Sequence, residues 1–427
     1  MPKIERLTAL EILDSRGRPT VSATCTLASG ATAAASVPSG ASTGAAEKHE
    51  LRDGDPKRYD GLGCRKAVTN INGEIHSVFR GRSFESQSEL DQALLTLDGT
   101  AEHSRLGNNA ILAVSLSFAR AVAAERGVPL YQHFADLLGS PPRKLPRLTV
   151  NLFSGGKHAG AQVEIQDVLI VPSSAGTIDE SLAMTYAVYQ AAARRCLQRY
   201  KMRALAADEG GLAPPFPTVE AMLDDAVAAI EGAGFEPGKD VAIAVDVASS
   251  HFMKNDRYHI GGKVLDTEAM VARIGQWVAR YPIISVEDGL GEFSPAWPKL
   301  RESLAGKALT LGDDYLCTNP EKIRRAIEQR AADALLLKIN QIGTLTEASE
   351  AYHLARDAGW QITISARSGE TEDNWLADLA VGWSGDQIKI GSITRSERLA
   401  KYNRLLEIEA ETHLPVATWP RNDSRQI

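Results

Sequence analysis

PIISVEDGLGEFSPAWPKLRESLAGKALTLGDDYLCTNPEKIRRAIEQRAADALLLK, residues 282–338, holds three short apolar runs, and each is closed by a charged residue: Glu287, Asp313 and Lys338. Between the second and third runs, Asn319-Pro320 supplies an N-cap and a first-turn proline. Ile323, Ala326, Ile327 and Ala331 then follow at helical spacing. Strand, helix, strand is the resulting order, and it continues on both sides. Upstream, Val219, Leu223, Ala226, Val227 and Ile230 form one helical stripe that Gly232 and Gly234 end, and VAIAV then runs into Asp246. Downstream, ITISA runs into Arg367 and QI into Lys389. Alternation over this length predicts a parallel sheet, and the number of units favours a closed (βα) barrel. In a barrel the strand ends meet at one mouth, so three carboxylates and three cations are predicted to share one bowl.

The first third reads differently. TVSATCTL places Val21, Ala23, Cys25 and Leu27 on one face of a half-buried antiparallel strand, with a turn at Ser29-Gly30. A small-residue loop and a helix over about Asn108 to Arg126 follow, which is an α+β pattern. SPPRKLP, Ser140 to Pro146, is the natural join. The predicted organisation is an N-terminal α+β domain over 1–140, with a lid loop at 37–45, and a C-terminal (βα) TIM-like barrel over 141–427.

In a chain of 427 residues, 44% hydrophobic and 24% charged residues indicate a soluble globular protein. A net charge of -7 removes any bulk electrostatic reason to bind nucleic acid or an anionic membrane, so an anionic substrate must be held by local cations. The opening MPKIERLTALEIL lacks the apolar stretch of a secretory signal, which predicts a cytoplasmic protein. Cys25, Cys64, Cys196 and Cys317 form no CxxC pair and are expected to be reduced core residues.

Asp246, Glu287 and Asp313 offer only oxygen ligands, a set that suits a hard cation such as Mg²⁺. Lys338 ends an apolar run beside them. Desolvation and a nearby cation both disfavour its ammonium form, which makes it a candidate base; a salt bridge to one of the acids is the competing reading. Removing a proton beside a carboxylate puts two negative charges on that group, and concentrated positive charge is what stabilises them.

LDSRGRPTV, VPSGASTG, ELRDGD, ADEGGLAP, DVASS, SVEDGL, GDDYLCTN, LLKINQIGTLTE, SARSGETED and IKIGS together resemble the enolase family nearly end to end. The resemblance implies an N-terminal α+β domain on a (βα) barrel, assembled as a homodimer or higher homo-oligomer. It implies Asp246, Glu287 and Asp313 as ligands of a first Mg²⁺ and Lys338 as the base, an assignment that follows the general pattern of enolase-superfamily sites. Glu209 would help the C3 hydroxyl leave, and Lys389 would hold the substrate carboxylate. Arg367 and Ser368 would bind the phosphoryl group, and Ser39 on the lid would bring in a second Mg²⁺. His158 matches a family active-site histidine, and Gln166 a family glutamine.

Departures gather on the leaving-group and lid side. Ala366 stands where the family motif SHRSGETED has its histidine, and Ala46 precedes Glu47 where the lid reads STGxHE. The usual Gln-Glu pair is Gln166-Asp167, and NGGSH is SGGKH, which introduces Ser154 and Lys157. Lys48 and His49 replace small or apolar lid residues. Room at Ala366 and added charge from Lys157 and Lys48 predict a small anionic phosphoryl or phosphonyl carboxylate larger than 2-phosphoglycerate, with Asp167 and Lys157 among its contacts. The function so predicted is a specialised paralogue similar to the carboxyphosphonoenolpyruvate synthases of phosphonate biosynthesis. An ordinary glycolytic enolase and a non-catalytic structural relative are the alternatives.

Overall fold

A computed structural model describes residues 1–41, 44–201 and 205–420; Ser42 and Thr43 of the expected lid lie outside the described residues. Three antiparallel strands open the fold: β1 (Ile4–Leu13), β2 (Pro19–Leu27) and β3 (Thr32–Ser36), in the order β1-β2-β3. Val21, Ala23, Cys25 and Leu27 are buried together, as the alternation predicts. They face the helix Asn108–Arg126, which also touches the barrel helices Ile339–Ile342 and Leu345–Asp357. Wedged between sheet and barrel, this helix is buried on almost every side, which is why its sequence is apolar all round rather than striped. Truncating Ile111, fully buried within it, would cost about 2–5 kcal/mol.

That helix also fixes a segment of the site. Asn108 Nδ2 donates to the Asn340 carbonyl at 2.6 Å, two residues beyond Lys338. Gly343 beside it has φ +120°, and a Cβ there would lie 2.0 Å from Asn108 Oδ1, so only glycine fits this junction.

Eight strands close the barrel: β4 (Arg147–Ser154), β5 (Asp167–Pro172), β6 (Val241–Asp246), β10 (Ile283–Glu287), β11 (Leu309–Gly312), β12 (Ala334–Leu337), β13 (Gln361–Ser365) and β14 (Gln387–Gly391). A small antiparallel sheet, β7 (Met253–Lys254), β8 (Arg257–Ile260) and β9 (Lys263–Leu265), sits between β6 and β10 in the chain. Helices Val219–Gly232 and Pro320–Glu328 form where their apolar stripes predict, and Asn319 caps the second by accepting from the amides of Glu321 and Lys322.

The sheet is not wholly parallel, which corrects the sequence reading. β5 pairs antiparallel with both β4 and β6. The segment between β4 and β5 contains only the short turn Gly156–His158, too little chain for a helical crossover, so the strand turns straight back. One consequence is functional: β5 begins at the barrel mouth, and Gln166 reaches the bowl from a strand start, whereas Asp246 and Glu287 stand at strand ends.

Candidate active site

Asp246 ends β6, Glu287 ends β10, Asp313 follows β11 and Lys338 follows β12, while Lys389 lies within β14; all are buried. Parallel pairing puts Glu287 level with Asp246. Lys389 Nζ donates to Asp246 Oδ2 at 2.9 Å and to both Glu287 oxygens at 2.8 and 2.7 Å. Lys338 Nζ reaches Asp313 Oδ2 at 2.5 Å, and Gln341 donates to the other oxygen of Asp313 at 2.9 Å. Gln166 donates to Asp246 at 3.1 Å, while its own buried carbonyl oxygen has no partner among the described residues.

Two ammonium groups thus stand among the three acids. Among the described residues, the sets of three that bring ligand atoms within 4.8 Å of one another are His158, Asp167, Glu209 and Asp288, Asp313, Asp314. The expected trio Asp246, Glu287, Asp313 is therefore divided between Lys389 and Lys338 rather than drawn together. Each Asp288 oxygen already accepts a backbone amide, from Asp313 and Asp314 at 2.9 and 2.8 Å. It aims Asp313. Burial, with Asp246 beside it, pushes the Glu287 carboxyl well above the usual range. Three buried oxygen donors from neighbouring strands, one of them costly to ionise without added positive charge, fit a hard divalent cation.

Lys338 does not show the depressed pKa expected from sequence. Burial is the strongest influence and opposes its charge, but the surrounding acids, Asp313 foremost and Glu287 with it, together hold the ammonium above the ordinary lysine range. Lys389 is likewise opposed by burial and raised well above it by Asp246 and Glu287. Either amine becomes a base only when its carboxylate partner is engaged elsewhere.

Glu209, in the loop after the helix Ile178–Tyr200, is anchored by Asn151 of β4, whose Nδ2 donates to Oε2 at 3.0 Å. Burial opposes its charge, but His158, Arg398, Lys389 and Lys338 together hold it below the usual carboxylate range. His158 Nε2 lies 3.8 Å from Glu209 Oε1, and its Nδ1 is 2.8 Å from Asp167 Oδ2. Despite burial, Asp167 and Glu209 raise the imidazole to about 9.

Arg367 turns its guanidinium on the lid: NH1 and NH2 contact the two Glu47 oxygens at 2.9 and 3.1 Å, and NH1 also reaches Asn340 Oδ1 at 3.1 Å. Ser368 accepts from Arg16 at 3.0 Å. Ser39 exchanges backbone hydrogen bonds with Gly369, and its hydroxyl is engaged by Glu50 and Arg52 at 3.0 and 2.7 Å rather than directed at the acids.

The central cavity is small, about 20 Å³, little more than room for one water, and is lined by Ala41, His158, Gln166, Glu209, Asp246, Lys338, Ser365, Ala366, Arg367, Ser368 and Lys389. Three expectations fail here. Lys157 is exposed and does not line the cavity. Lys48 is drawn to the Ala101 carbonyl at 2.7 Å and to Glu102 at 3.7 Å. Asp167 lies behind His158, because its short side chain is retracted onto Ser154 and the imidazole. Asn151, Gln341, Glu47 and Asp288 were missed by the sequence reading; each is polar and adjacent to or within a motif, but nothing in the sequence says which way it turns.

A closed barrel whose mouth gathers acids, lysines and an arginine around a buried cavity is the architecture of a barrel enzyme with acids that could hold a cation. Residues 4–134 match the family model described as "Enolase, N-terminal domain", and residues 142–419 match "Enolase, C-terminal TIM barrel domain". The chain is 46% identical over 416 residues to "Enolase 1" of Methylococcus capsulatus, covering 96% of this chain and 97% of that protein. The chain belongs to the enolase family and is a hydro-lyase. No helix among the described residues is long and apolar enough to cross a membrane.

Proposed function

We propose that this protein dehydrates 2-phosphoglycerate to phosphoenolpyruvate, with Mg²⁺ held by Asp246, Glu287 and Asp313, as a cytoplasmic homodimer or higher homo-oligomer. The observation that carries the reading is that Lys338, Glu209, Lys389, Arg367 and Ser368 line one buried cavity at the barrel mouth. The specialised phosphonate reading rested on three features, and two of them, Lys157 and Lys48, turn away from the cavity; the relative that spans nearly the whole chain is an enolase. The non-catalytic reading leaves this buried cluster of like charges without a purpose.

When bound, Mg²⁺ supplies the positive charge that stabilises the doubly charged carboxylate of the intermediate. Lys389 binds that carboxylate, and Lys338 accepts the C2 proton. Arg367, released from Glu47, takes the phosphoryl group together with Ser368. Gln166 orients Asp246, and Glu209, supplied with a proton by the neighbouring His158, protonates the departing C3 hydroxyl. Ser39 would help hold a second Mg²⁺ through its hydroxyl, which here is engaged by Glu50 and Arg52.

The test compares kcat/KM for phosphoenolpyruvate formation from 2-phosphoglycerate with that for a carboxyphosphono analogue, in the native enzyme and in Lys157→Ser with Ala366→His. Efficient turnover of 2-phosphoglycerate is expected. Preference for the analogue would restore the specialised reading and overturn this one.

A further inference from the structure

Ala366, where the family motif has a histidine, lines the same cavity as His158 and Glu209, while Ser154 and Asp167, two further departures from the family motif, meet at His158. Ser154 closes β4 and Asp167 opens β5, and the antiparallel register pairs them directly. Both are fully buried. Ser154 Oγ donates to Asp167 Oδ1 at 2.5 Å, and the second Asp167 oxygen takes His158 Nδ1 at 2.8 Å. The serine is itself confined: its amide donates to the Leu212 carbonyl at 2.9 Å, and a Cβ at Gly211 would stand 2.4 Å from its hydroxyl. Nε2 is thereby directed toward Glu209 Oε1, 3.8 Å away, while Asn151 holds the other Glu209 oxygen.

We propose that Ser154 and Asp167 form a clamp that aims His158 at Glu209, so that His158 supplies to this cavity the imidazole that Ala366 does not. Asp167 is thus a positioning residue, and its side chain, one methylene shorter than the family glutamate, suits that task because it withdraws from the cavity and lets the imidazole line it. The Nδ1–H donated to Asp167 leaves Nε2 as the nitrogen that exchanges a proton with Glu209. In the dehydration the C3–O bond breaks and its electron pair leaves with the hydroxyl. A proton passes from the Glu209–His158 pair to that oxygen, and water departs. The electron pair left at C2 when Lys338 takes the proton closes the C2=C3 double bond. The 3.8 Å gap tightens only with substrate present, as catalytic contacts in unliganded sites commonly do.

This inference rests on the proposed dehydration of 2-phosphoglycerate, and the experiment separates the two. Native enzyme, Asp167→Asn, Ser154→Ala and Asp167→Asn with Ala366→His are compared in the full-length protein with Mg²⁺. The measurements are dehydration, exchange of the C2 proton with solvent, and the nitrogen-15 spectrum of the histidines. Asp167→Asn is expected to lower kcat for dehydration by about 10²–10⁴-fold with KM and C2 exchange largely kept. It should also shift the His158 ring nitrogens and weaken the dependence of kcat on pH. Ser154→Ala should fall in the same direction by less, and Ala366→His should recover part of the loss. If neither Asp167→Asn nor Ser154→Ala alters the His158 ring nitrogens, or if kcat survives Asp167→Asn, the clamp is refuted. Loss of C2 exchange together with dehydration refutes it as well, because damage would then extend beyond the leaving-group step. Native enzyme inert toward 2-phosphoglycerate would instead overturn the substrate assignment, while the nitrogen-15 comparison would still decide the clamp.

Discussion

Glu47 occupies the guanidinium that a phosphoryl group needs, and Glu47→Gln tests that competition. Arg367 is 3% exposed, and both of its terminal nitrogens are spent on the Glu47 carboxylate, at 2.9 and 3.1 Å. An incoming phosphoryl group must exchange with this carboxylate. Each charge-assisted hydrogen bond surrendered is worth about 1.5–3 kcal/mol, and the amide of glutamine, which keeps the shape but not the charge, gives back roughly half of that. Inorganic phosphate, a probe of the phosphoryl site alone, should therefore bind the variant more tightly by about 1–2 kcal/mol, or roughly 5–30-fold. Stability should move the opposite way. The variant leaves a buried guanidinium with a neutral partner, and breaking a buried pair costs about 3–5 kcal/mol when one partner is lost altogether, so its Tm should fall and phosphate should restore more of it than in the native protein. Titration calorimetry with phosphate and thermal unfolding with and without phosphate measure both. Unchanged or weaker phosphate binding in Glu47→Gln would show that Glu47 does not compete for Arg367.

Other expectations follow from the same geometry. Lys338→Ala should abolish exchange of the substrate C2 proton while leaving Mg²⁺ affinity, measured by calorimetry, largely intact; full exchange would remove Lys338 as the base. Asp246→Ala, Glu287→Ala and Asp313→Ala should each lose most activity, with added Mg²⁺ restoring little, since each deletes a buried anion of the cation site; activity in all three without Mg²⁺ would show the site to be misread. Burial, with Arg126 nearby, depresses His133 to about 4, below its unfolded value. The unfolded chain thus binds more protons between about pH 6.5 and 4, so stability is fully present above that window and is lost as pH falls through it, by up to about 3 kcal/mol from this residue. His133→Leu should flatten the pH dependence of urea unfolding there, and an unchanged slope would place the titration elsewhere.

The strand ends were legible because two physical demands coincide at them. A barrel strand is apolar while it crosses the core, and its last residue enters the mouth, so a charge closing an apolar run marks a place in space as well as in sequence. Asp246, Glu287, Asp313, Lys338 and Lys389 were readable for that reason. The turn of β5 was not, since direction depends on how much chain the connection leaves for a crossover, and apolar periodicity carries no direction. Side-chain aim was equally hidden. Lys48 and Lys157 are charges in the right motifs, yet Lys48 finds Ala101 and Glu102 through contacts made between segments far apart in the chain. Asp313 offers the reverse lesson: it was recognised as an acid, but the Asp288 contacts that orient it involve backbone amides, which no residue type announces.

The two lysines explain how such a site exists at all. Buried carboxylates on neighbouring strands repel one another, and without compensation the barrel would pay for them in stability. Lys389 bridges Asp246 and Glu287, and Lys338 neutralises Asp313, so the fold is held by the same pairs that chemistry must rearrange. The arrangement is therefore balanced between a self-neutralised state and one in which added positive charge takes the acids and frees the amines. Arg367 and Glu47 repeat the pattern at the phosphoryl end, where a lid carboxylate neutralises a buried guanidinium until another anion replaces it. Each charge that the reaction uses already has a partner of opposite sign within the chain, and binding at either end proceeds by exchanging that partner.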